Sequence, residues 1–549
     1  MKSMKNEFKI VIPLFLIFLI IYLLTCNHCL TLVLDSACYI SDIARSDYVF
    51  SPHHLLYHAA FYHWNSFLNI FGSGDIVANL GSFNSIFGSL SVVVIYLILK
   101  TRFNISTLNS LIFAGIPAFS YGFWMVSTSV NVYAVSLFCQ LLIFYLYLNK
   151  EETWKKWLII GIVNGIAIVF NQWNIFIFLV ITVNVLLDKQ RSLLFKRYYW
   201  TYLFSSGILS LGAYLFILIN NFKLYTLKSM LEWMTYYETV FEWTTSISKA
   251  IKEAIIGIGQ TFVAPYWLFS FPGFNELIKD NLQSNVSFVE EAYFANSINA
   301  TGSVILTILT IFLVIVIFII SIISLSNIKH TFARHRKETL YLFTWILLTS
   351  IMPFFWSGYN QRYWFIQTTA FYLFVFLSIS VISRMKSKMK NSKIIYIVAA
   401  IMFTVNFFGV FKYSGDTKKD LTYCAVNEIM KKSKHGDMVI FKNIWTTSYY
   451  LDIYSGNLKW LNLHFFETRD KEKLRVIIRQ IKAIEKFQEN HDIIFTADIF
   501  ENINDYPYEL KSLLKEIRKK YISRMIYHKT EFINFYILST ETRPFSISQ

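Results

Sequence analysis

Long apolar runs recur over roughly the first 411 residues of this 549-residue chain. A run of about 18 or more apolar residues can cross roughly 30 Å of hydrocarbon as a helix. Inside lipid the backbone must satisfy its own hydrogen bonds, and these runs are too long to be strands of a barrel. The sequence therefore predicts an α-helical polytopic membrane protein with about eleven spans. A mean hydropathy of +0.44 and a low charged fraction, 16%, agree with this class.

The net charge of +16 does not indicate a nucleic-acid partner. Lys and Arg lie in short clusters between apolar runs, a pattern typical of cytoplasmic loops. Lys2, Lys5 and Lys9 precede the first run, so the N-terminus is expected in the cytoplasm. The alternation then places outside the membrane a first outer loop, 35–76, and a long outer loop, 221–300, in which 254–271 is re-entrant or interfacial. A bacterial or archaeal cytoplasmic membrane is the expected location.

The composition changes after residue 411. DMVIFKN and HDIIFTAD are typical of short buried strands, whereas DKEKLRVIIRQIKAIEKFQ and YELKSLLKEIRKKY have the apolar spacing of amphipathic helices. The sequence thus predicts a transmembrane domain over 1–411 and a small extracytoplasmic α/β domain over 412–549. Five cysteines are too few for a disulfide framework, and Cys26 and Cys29 are interpreted as small packing residues.

Titratable residues are concentrated between Asp35 and Trp64, directly after the first apolar run. Asp35 lies where the membrane ends, and a positioned carboxylate can act as a general base; a solvated residue at the end of a span is the alternative. His53 and His54 could contact a phosphate or a sugar, with plain packing as the alternative. A zinc site needs three or four supported ligands, so no metal and no cofactor are predicted, and a divalent metal held by His53, His54, His58 and His63 is left as the alternative.

Arg362 stands in QRYW, 361–364, in an outer turn that should be depleted of basic residues. Its guanidinium can bind phosphate through two parallel hydrogen bonds, and anchoring to lipid headgroups is the alternative. Tyr363 and its aromatic neighbours fit either sugar stacking or an interfacial belt. The chain contains no phosphate-binding glycine-rich loop, no G-x-S-x-G and no H-E-x-x-H, which leaves an ATP-driven protein or a zinc protease without support.

Four stretches resemble the GT-C-type membrane glycosyltransferases, and more narrowly the uncharacterised-domain family that includes a transmembrane protein O-mannosyltransferase. They are Asp35 with the later Pro52-His53 and HLLY, NLGSFNSIFGSLSVVVIYLIL at 79–99, FWMVSTSVNVYAVSLF at 123–138, and QRYW at 361–364. Two features depart from that family. Asn131 stands where it usually has Glu, and His53-His54 replaces a run richer in proline and glycine.

The resemblance implies a GT-C-like fold and the transfer of a hexosyl or pentosyl group from a polyprenyl-phosphate donor to an acceptor hydroxyl, with inversion, on the extracytoplasmic face. It implies that Asp35 is the base and that Arg362, with His53 or His54, stabilises the leaving phosphate. The expected partners are the lipid-linked sugar, an acceptor protein, lipid or glycan, and membrane lipids. The other candidate substrate-binding residues are Tyr57, Trp124, Asn131, Tyr133 and Tyr363.

A multispan transporter or lipid-linked-glycan flippase without covalent chemistry is the alternative function. Broken helices with charges at the membrane midplane and inverted repeats would favour that function. Few charges fall within the apolar runs, and the titratable residues gather on one side of them. This distribution favours an enzyme that works at one membrane surface.

Overall fold

The computed structural model describes residues 2–45, 50–187, 193–235, 246–282, 288–385, 393–442, 446–456, 458–463, 471–484 and 491–539. The chain divides into two compact units. The first contains 1–28, 46–286 and 295–415, and the second contains 29–45, 287–294 and 416–549. The second unit therefore combines three separate parts of the sequence, whereas the composition predicted one continuous domain after residue 411.

Helices make up the first unit. Its α-helices are Lys2–Leu24, Tyr57–Asn69, Ile76–Leu97, Thr107–Ala118, Tyr121–Thr128, Tyr133–Tyr147, Trp154–Phe170, Ile175–Leu187, Leu193–Asn220, Leu227–Met234, Ile247–Phe262, Phe274–Leu282, Ala300–Ser326, Ile328–Arg334, Arg336–Phe355, Phe365–Met385, Lys393–Asn406 and Lys412–Ser414. Single π-turns follow two of them at Ile98–Arg102 and Phe407–Phe411, and 3-10 turns lie at Gln172–Asn174, Tyr266–Ser270 and Gln361–Tyr363. Within the predicted outer loop 221–300, residues 236–245 and 283–287 lie outside the described ranges.

Seven helices of the described part are long and apolar enough to cross a membrane. Thr107–Ala118 and Tyr121–Thr128, bent by 75° at their junction, could together make an eighth. The predicted count of about eleven was larger because it included apolar segments that form shorter helices here, such as Tyr133–Tyr147 and Gln172–Leu187. The mostly helical membrane architecture is confirmed, and the eleven-span topology stays a prediction.

The first helix ends at Leu24, ten residues before the end of its apolar run. After this end, Asn27 N donates to the carbonyl of Thr128, the last residue of helix Tyr121–Thr128, at 3.0 Å. The Asn27 side chain also donates to Ser129 Oγ at 3.2 Å. The first helix thus ends where Asn27 forms hydrogen bonds with Thr128 and Ser129, although the apolar sequence continues beyond that point.

Buried asparagine side chains support the backbone at other breaks as well. Asn84 Nδ2 donates to the Ser129 carbonyl at 2.6 Å. Asn406 Nδ2 donates to the carbonyls of Phe119 and Phe262, both at 2.9 Å. A carbonyl that loses its helical partner inside a bilayer has no water to replace it, so these amides supply the missing donors.

The second unit contains a five-stranded sheet. Its strands are β1 Met438–Phe441, β2 Lys459–Asn462, β3 Ile493–Thr496, β4 Met525–His528 and β5 Phe535–Leu538, in the order β2-β1-β3-β5-β4. β1 pairs in parallel with β2 and β3, whereas β5 is antiparallel to β3 and β4. β1 and β3 lie in the segments predicted as strands, although their membership of an independent α/β domain stays a prediction.

Helices of the second unit come from all three of its parts. They are Leu34–Arg45, Val289–Ala295, Leu421–Met430, Thr446–Tyr454, Lys471–Lys482, Asp498–Glu501 and Tyr508–Tyr521. The last residue of the second of these helices, Ala295, is assigned to the first unit. Ser41 Oγ and Arg45 Nη2 donate to the half-buried Asp452 carboxylate at 2.7 and 2.6 Å. Thr422 Oγ1 donates to Glu290 at 2.8 Å. Polar contacts of this kind join 29–45 and 287–294 to the C-terminal part.

His28 and Asp75 form an ion pair in the first unit, with His28 Nε2 3.0 Å from the Asp75 carboxylate. The same carboxylate caps Ile76–Leu97 by accepting from the backbone of Val77 and Ala78. Burial opposes protonation of His28, but the hydrogen bond and charge of Asp75 outweigh it and raise the pKa of His28. The hydrogen bond from His28 is the main reason that the pKa of Asp75 is lowered.

We expect His28→Gln to weaken the dependence of stability on pH. Because the folded pKa of His28 is raised, its contribution is complete below the ordinary value of 6.5 and is lost as pH rises through the folded pKa. The contribution of Asp75 is present above 3.8 and is lost as pH falls through its lowered pKa. Asp75 is 52% exposed, so solvent screens the ion pair. The pair should therefore contribute less than about 1 kcal/mol to the free energy of unfolding of the wild type, and this contribution should be lost between about pH 5.5 and about pH 8. Thermal unfolding measures this.

The matched control is His330→Gln, which changes an exposed histidine of the same unit. It should keep the wild-type pH profile. An identical profile in the His28→Gln variant would show that the ion pair contributes nothing to stability.

Candidate active site

The loop that carries His53 is held against the turn that follows helix Trp154–Phe170. His53 Nδ1 lies 2.9 Å from Gln172 Oε1. The other end of the same amide, Gln172 Nε2, donates to the Pro52 carbonyl at 2.7 Å, so Oε1 is the acceptor and His53 Nδ1 carries the proton. Tyr214 also donates to the Pro52 carbonyl, at 2.8 Å. In the neutral imidazole, Nε2 of His53 is therefore the hydrogen-bond acceptor.

The turn that carries Arg362 is built by its own side chains. Asn360 Oδ1 accepts from the backbone of Arg362 at 3.2 Å and begins a 3-10 turn. Arg362 Nη2 donates to the Tyr363 hydroxyl at 3.0 Å, and the guanidinium carbon lies 4.9 Å from the Tyr363 ring centre. The Arg362 side chain is half-buried. Its charge is thus held on an aromatic ring instead of extending freely toward headgroups.

Aromatic contacts bring these two turns together within the first unit. The Trp173 ring lies 4.9 Å from Tyr363 and 5.5 Å from Trp356. Burial, followed by the neighbouring histidines and the positive charge of Arg362, holds the pKa of His54 well below its ordinary value. The site therefore combines a neutral His54 with the permanent positive charge of Arg362, beside half-buried aromatic rings.

Asn131 positions the next aromatic side chain. Its amide nitrogen donates to the carbonyls of Val126 and Ser129 at 2.8 and 2.9 Å, and its Oδ1 accepts from the backbone of Tyr133 at 2.9 Å. The Tyr133 ring then meets Tyr363 edge-on at 6.1 Å. Asn131 is buried with both ends of its amide hydrogen-bonded, which gives it a positioning role.

Two other predicted site residues have packing contacts. The fully buried Trp124 stacks on Phe411 with ring centres 4.3 Å apart and donates to Thr25 Oγ1 at 2.9 Å. The fully buried Tyr57 lies 4.1 Å from the Phe61 ring. Packing accounts for these contacts, and substrate binding by Trp124 and Tyr57 stays a prediction.

Asp35 belongs to the second unit, where it is half-buried in the first turn of helix Leu34–Arg45. Ser41 and Arg45 fix the far half of that helix through Asp452. The predicted site residues are thus divided between the units: all except Asp35 lie in the first, namely His53, His54, Tyr57, Trp124, Asn131, Tyr133, Arg362 and Tyr363. Among the described residues, no group of three or more His, Cys, Asp or Glu side chains could hold a metal ion.

Gln172 and Trp173 are functional candidates that the sequence did not reveal. In the sequence the two residues stand between two apolar runs, with no charged residue beside them. Their candidacy comes from the contacts to His53 and Tyr363, which join segments more than a hundred residues apart. The polar run Asn171–Asn174 between two apolar runs is the signal in the sequence that could have marked them.

A family model described as dolichyl-phosphate-mannose-protein mannosyltransferase matches residues 58–220, less than a third of the chain. This match confirms the predicted resemblance to membrane glycosyltransferases. The matched segment includes Trp124, Asn131 and Tyr133, but neither Asp35 nor Arg362. No curated protein sequence matches the chain.

Solved structures of three glycosyltransferases are similar to the chain. The S. cerevisiae protein O-mannosyltransferase Pmt1–Pmt2 complex, bound to its sugar donor, matches at 18% identity and TM-score 0.30 over 38% of this chain and 32% of its own. ArnT from Cupriavidus metallidurans, bound to undecaprenyl phosphate, matches at 10% identity and TM-score 0.47 over 97% and 98%. The Archaeoglobus fulgidus oligosaccharyltransferase, in complex with Zn and sulfate, matches at 12% identity and TM-score 0.44 over 92% and 69%. The chain thus spans about a third of the length of the yeast chain.

We expect Asn131→Asp to destabilise the protein by about 3 kcal/mol, because a buried carboxylate cannot donate to two carbonyls at hydrogen-bond distance. Asn221→Asp, an exposed change after helix Leu193–Asn220, is the matched control and should have little effect. Thermal unfolding of the detergent-solubilised variants measures both. If the Asn131→Asp variant is as stable as the control, Asn131 does not have the positioning role.

Proposed function

We propose that the protein is a membrane glycosyltransferase that moves a sugar from a polyprenyl-phosphate donor to an acceptor hydroxyl at the extracytoplasmic surface, with inversion. One observation carries this proposal: the turns of His53, Trp173 and Arg362 meet in one partly exposed surface of the first unit. That surface offers a fixed positive charge, imidazoles and aromatic rings, which suit a phosphate joined to a sugar. The family match over 58–220 supports the same reaction class.

Arg362 is proposed to stabilise the phosphate as it leaves the sugar. Its guanidinium stays protonated, and the Tyr363 hydroxyl and ring hold it in place. A hydrogen-bond donor that is already in position stabilises the negative charge that develops on the leaving phosphate, without a cost of reorganisation. His53 and His54 are proposed to add hydrogen bonds to the phosphate oxygens, with Gln172 fixing the orientation of the His53 ring.

The half-buried rings of Trp173, Trp356 and Tyr363 are proposed to bind the sugar. They contact one another at centre distances of 4.9 to 6.2 Å and lie beside the guanidinium. The C–H groups of a pyranose pack on aromatic faces while its hydroxyls bond to polar neighbours. Tyr133, which is buried and meets Tyr363 edge-on, continues the same aromatic cluster.

Asp35 is proposed to be the catalytic base. It would accept the proton of the acceptor hydroxyl while that oxygen bonds to C1 of the sugar. The C1–oxygen bond to phosphate breaks at the same time, and its electron pair leaves with the polyprenyl phosphate. A carboxylate on a helix whose far end is fixed by Ser41 and Arg45 is well suited to this task.

Arg362→Lys should lower kcat/KM for the donor about tenfold or more, because lysine keeps the charge but loses the planar pair of donors. The measurement is release of labelled sugar from polyprenyl-phosphate sugars by purified protein at fixed salt. Arg336→Lys, at an exposed arginine, is the matched control and should retain wild-type kinetics. Unchanged kinetics in both variants would show that Arg362 only anchors the protein to headgroups.

Asp35→Asn should reduce turnover by about 10² to 10⁴ while leaving thermal stability almost unchanged. Asp42→Asn is the matched control, since Asp42 is also half-buried and lies two turns further along the same helix. Transfer activity and thermal unfolding are measured on the same preparations. Wild-type turnover in Asp35→Asn would exclude Asp35 as the base, and a loss in Asp42→Asn alone would assign that role to Asp42.

A further inference from the structure

A buried amide joins two elements of the first unit. Gln140 lies in the middle of helix Tyr133–Tyr147 and is buried. Its Nε2 donates to Asn174 Oδ1 at 2.7 Å, and its Oε1 accepts from Trp345 Nε1 at 2.8 Å. Asn174 and Trp345 are buried as well. One side chain is thus bonded to a turn at one end and to a long helix at the other.

These two elements carry aromatic rings of the candidate active site. Asn174 is the last residue of the turn that contains Trp173. Trp345 belongs to helix Arg336–Phe355, and Trp356 directly follows that helix. The rings of Trp173 and Trp356 lie 5.5 Å apart. Because about three turns of helix connect Trp345 to Trp356, a bond that fixes Trp345 also restrains the end of the helix where the rings meet.

The donors and acceptors around position 140 require an amide there. The indole N–H of Trp345 can only donate, so it needs an acceptor. The Asn174 amide nitrogen donates to the carbonyls of Ala167 and Asn171, so its Oδ1 needs a donor. Gln140 supplies both from one planar group. Since all three side chains are buried, breaking a bond here leaves a polar group away from water, which makes the link costly to lose.

A second hydrogen bond connects the helix after this turn to the same long helix. Asn184 Nδ2 donates to Thr344 Oγ1 at 2.7 Å. Asn184 lies about 15 Å beyond Asn174 along helix Ile175–Leu187. That bond holds the body of the helix, whereas Gln140 is bonded to the turn itself.

We propose that Gln140 is a positioning residue that holds Trp173, on its turn, against Trp356 at the end of the long helix. As a contribution to sugar transfer, this role rests on the proposed glycosyltransferase function. Without the link, the turn and the helix can move apart, and the sugar is held less well beside the guanidinium of Arg362. The placement of the rings can be observed without any transfer reaction.

The experiment is fluorine NMR on the full chain labelled with 5-fluorotryptophan, because the resonance of Trp173 responds to the rings around it. Trp173→Phe identifies that resonance among the 14 tryptophans. Gln140→Met removes both hydrogen bonds at similar volume and should shift or broaden the Trp173 resonance. Trp345→Phe, which removes the indole donor, should do the same and decides the question if Gln140→Met does not fold.

The same variants are compared in the transfer assay. Gln140→Met should lower kcat about tenfold to a hundredfold, because a displacement of about 1 Å in an active site can cost about a hundredfold in rate. The matched control is Asn164→Leu. Asn164 is a buried amide of the same unit, and its Nδ2 donates to the hydroxyls of Tyr202 and Ser206 at 3.0 and 3.1 Å. This control should lower the melting temperature but keep the wild-type Trp173 resonance and kcat.

Three results would overturn the proposal. The first is an unchanged Trp173 resonance in folded Gln140→Met protein. The second is an equal change of that resonance in Asn164→Leu, which would reflect a general loosening of the helices. The third is a wild-type kcat in Gln140→Met when the wild type is active. If the wild type transfers no sugar, the proposed function fails, whereas the resonances still decide whether Gln140 positions the turn.

Discussion

Asparagine side chains replace the hydrogen bonds that the backbone loses where helices of the first unit break. The turn that bears Gln172 and Trp173 depends on Asn174, whose amide donates to the carbonyls of Ala167 and Asn171 at 2.8 and 2.9 Å. The break before Tyr133 depends in the same way on Asn131. A helix can end inside an apolar region only if such donors are present. The amides of Asn131 and Asn174 thus support the backbone at two of the turns that carry residues of the candidate active site.

Much of the fold could be predicted from local patterns. The apolar runs indicated membrane helices, and the short apolar segments around Val439 and Ile494 indicated strands, because both signals depend on neighbouring residues alone. The helix ends were harder, since a hydrogen bond such as that from Asn27 to Thr128 joins residues far apart in sequence. For the same reason the composition could not reveal that residues 29–45 belong with the C-terminal part. Hydrogen bonds from Ser41 and Arg45 to Asp452 are among the contacts that join these parts.

The candidate site was predictable where a residue violates a general trend. Arg362 was identified because a positive charge is unusual in a short outer turn, and His53 because it lies in a polar stretch directly after an apolar run. Gln172 and Trp173 violate no such trend, so only the folded chain shows that they contact His53 and Tyr363, the neighbour of Arg362. Asn131 was identified because it stands where the family that the chain resembles usually has Glu. Its three hydrogen bonds require an amide, and a carboxylate could make only the one from the Tyr133 backbone.

The second unit is assembled from segments that lie far apart in the sequence, and this has a consequence for biosynthesis. Asp452 lies 411 residues after Ser41. At about 5–20 residues per second, roughly 20–80 s of translation separate the two partners. During that interval the helix with Asp35 has been synthesised, while helix Thr446–Tyr454, on which it packs, does not yet exist. Its apolar face, with Ala37 and Ile40 fully buried in the finished protein, therefore stays without this partner until the C-terminal part has been synthesised.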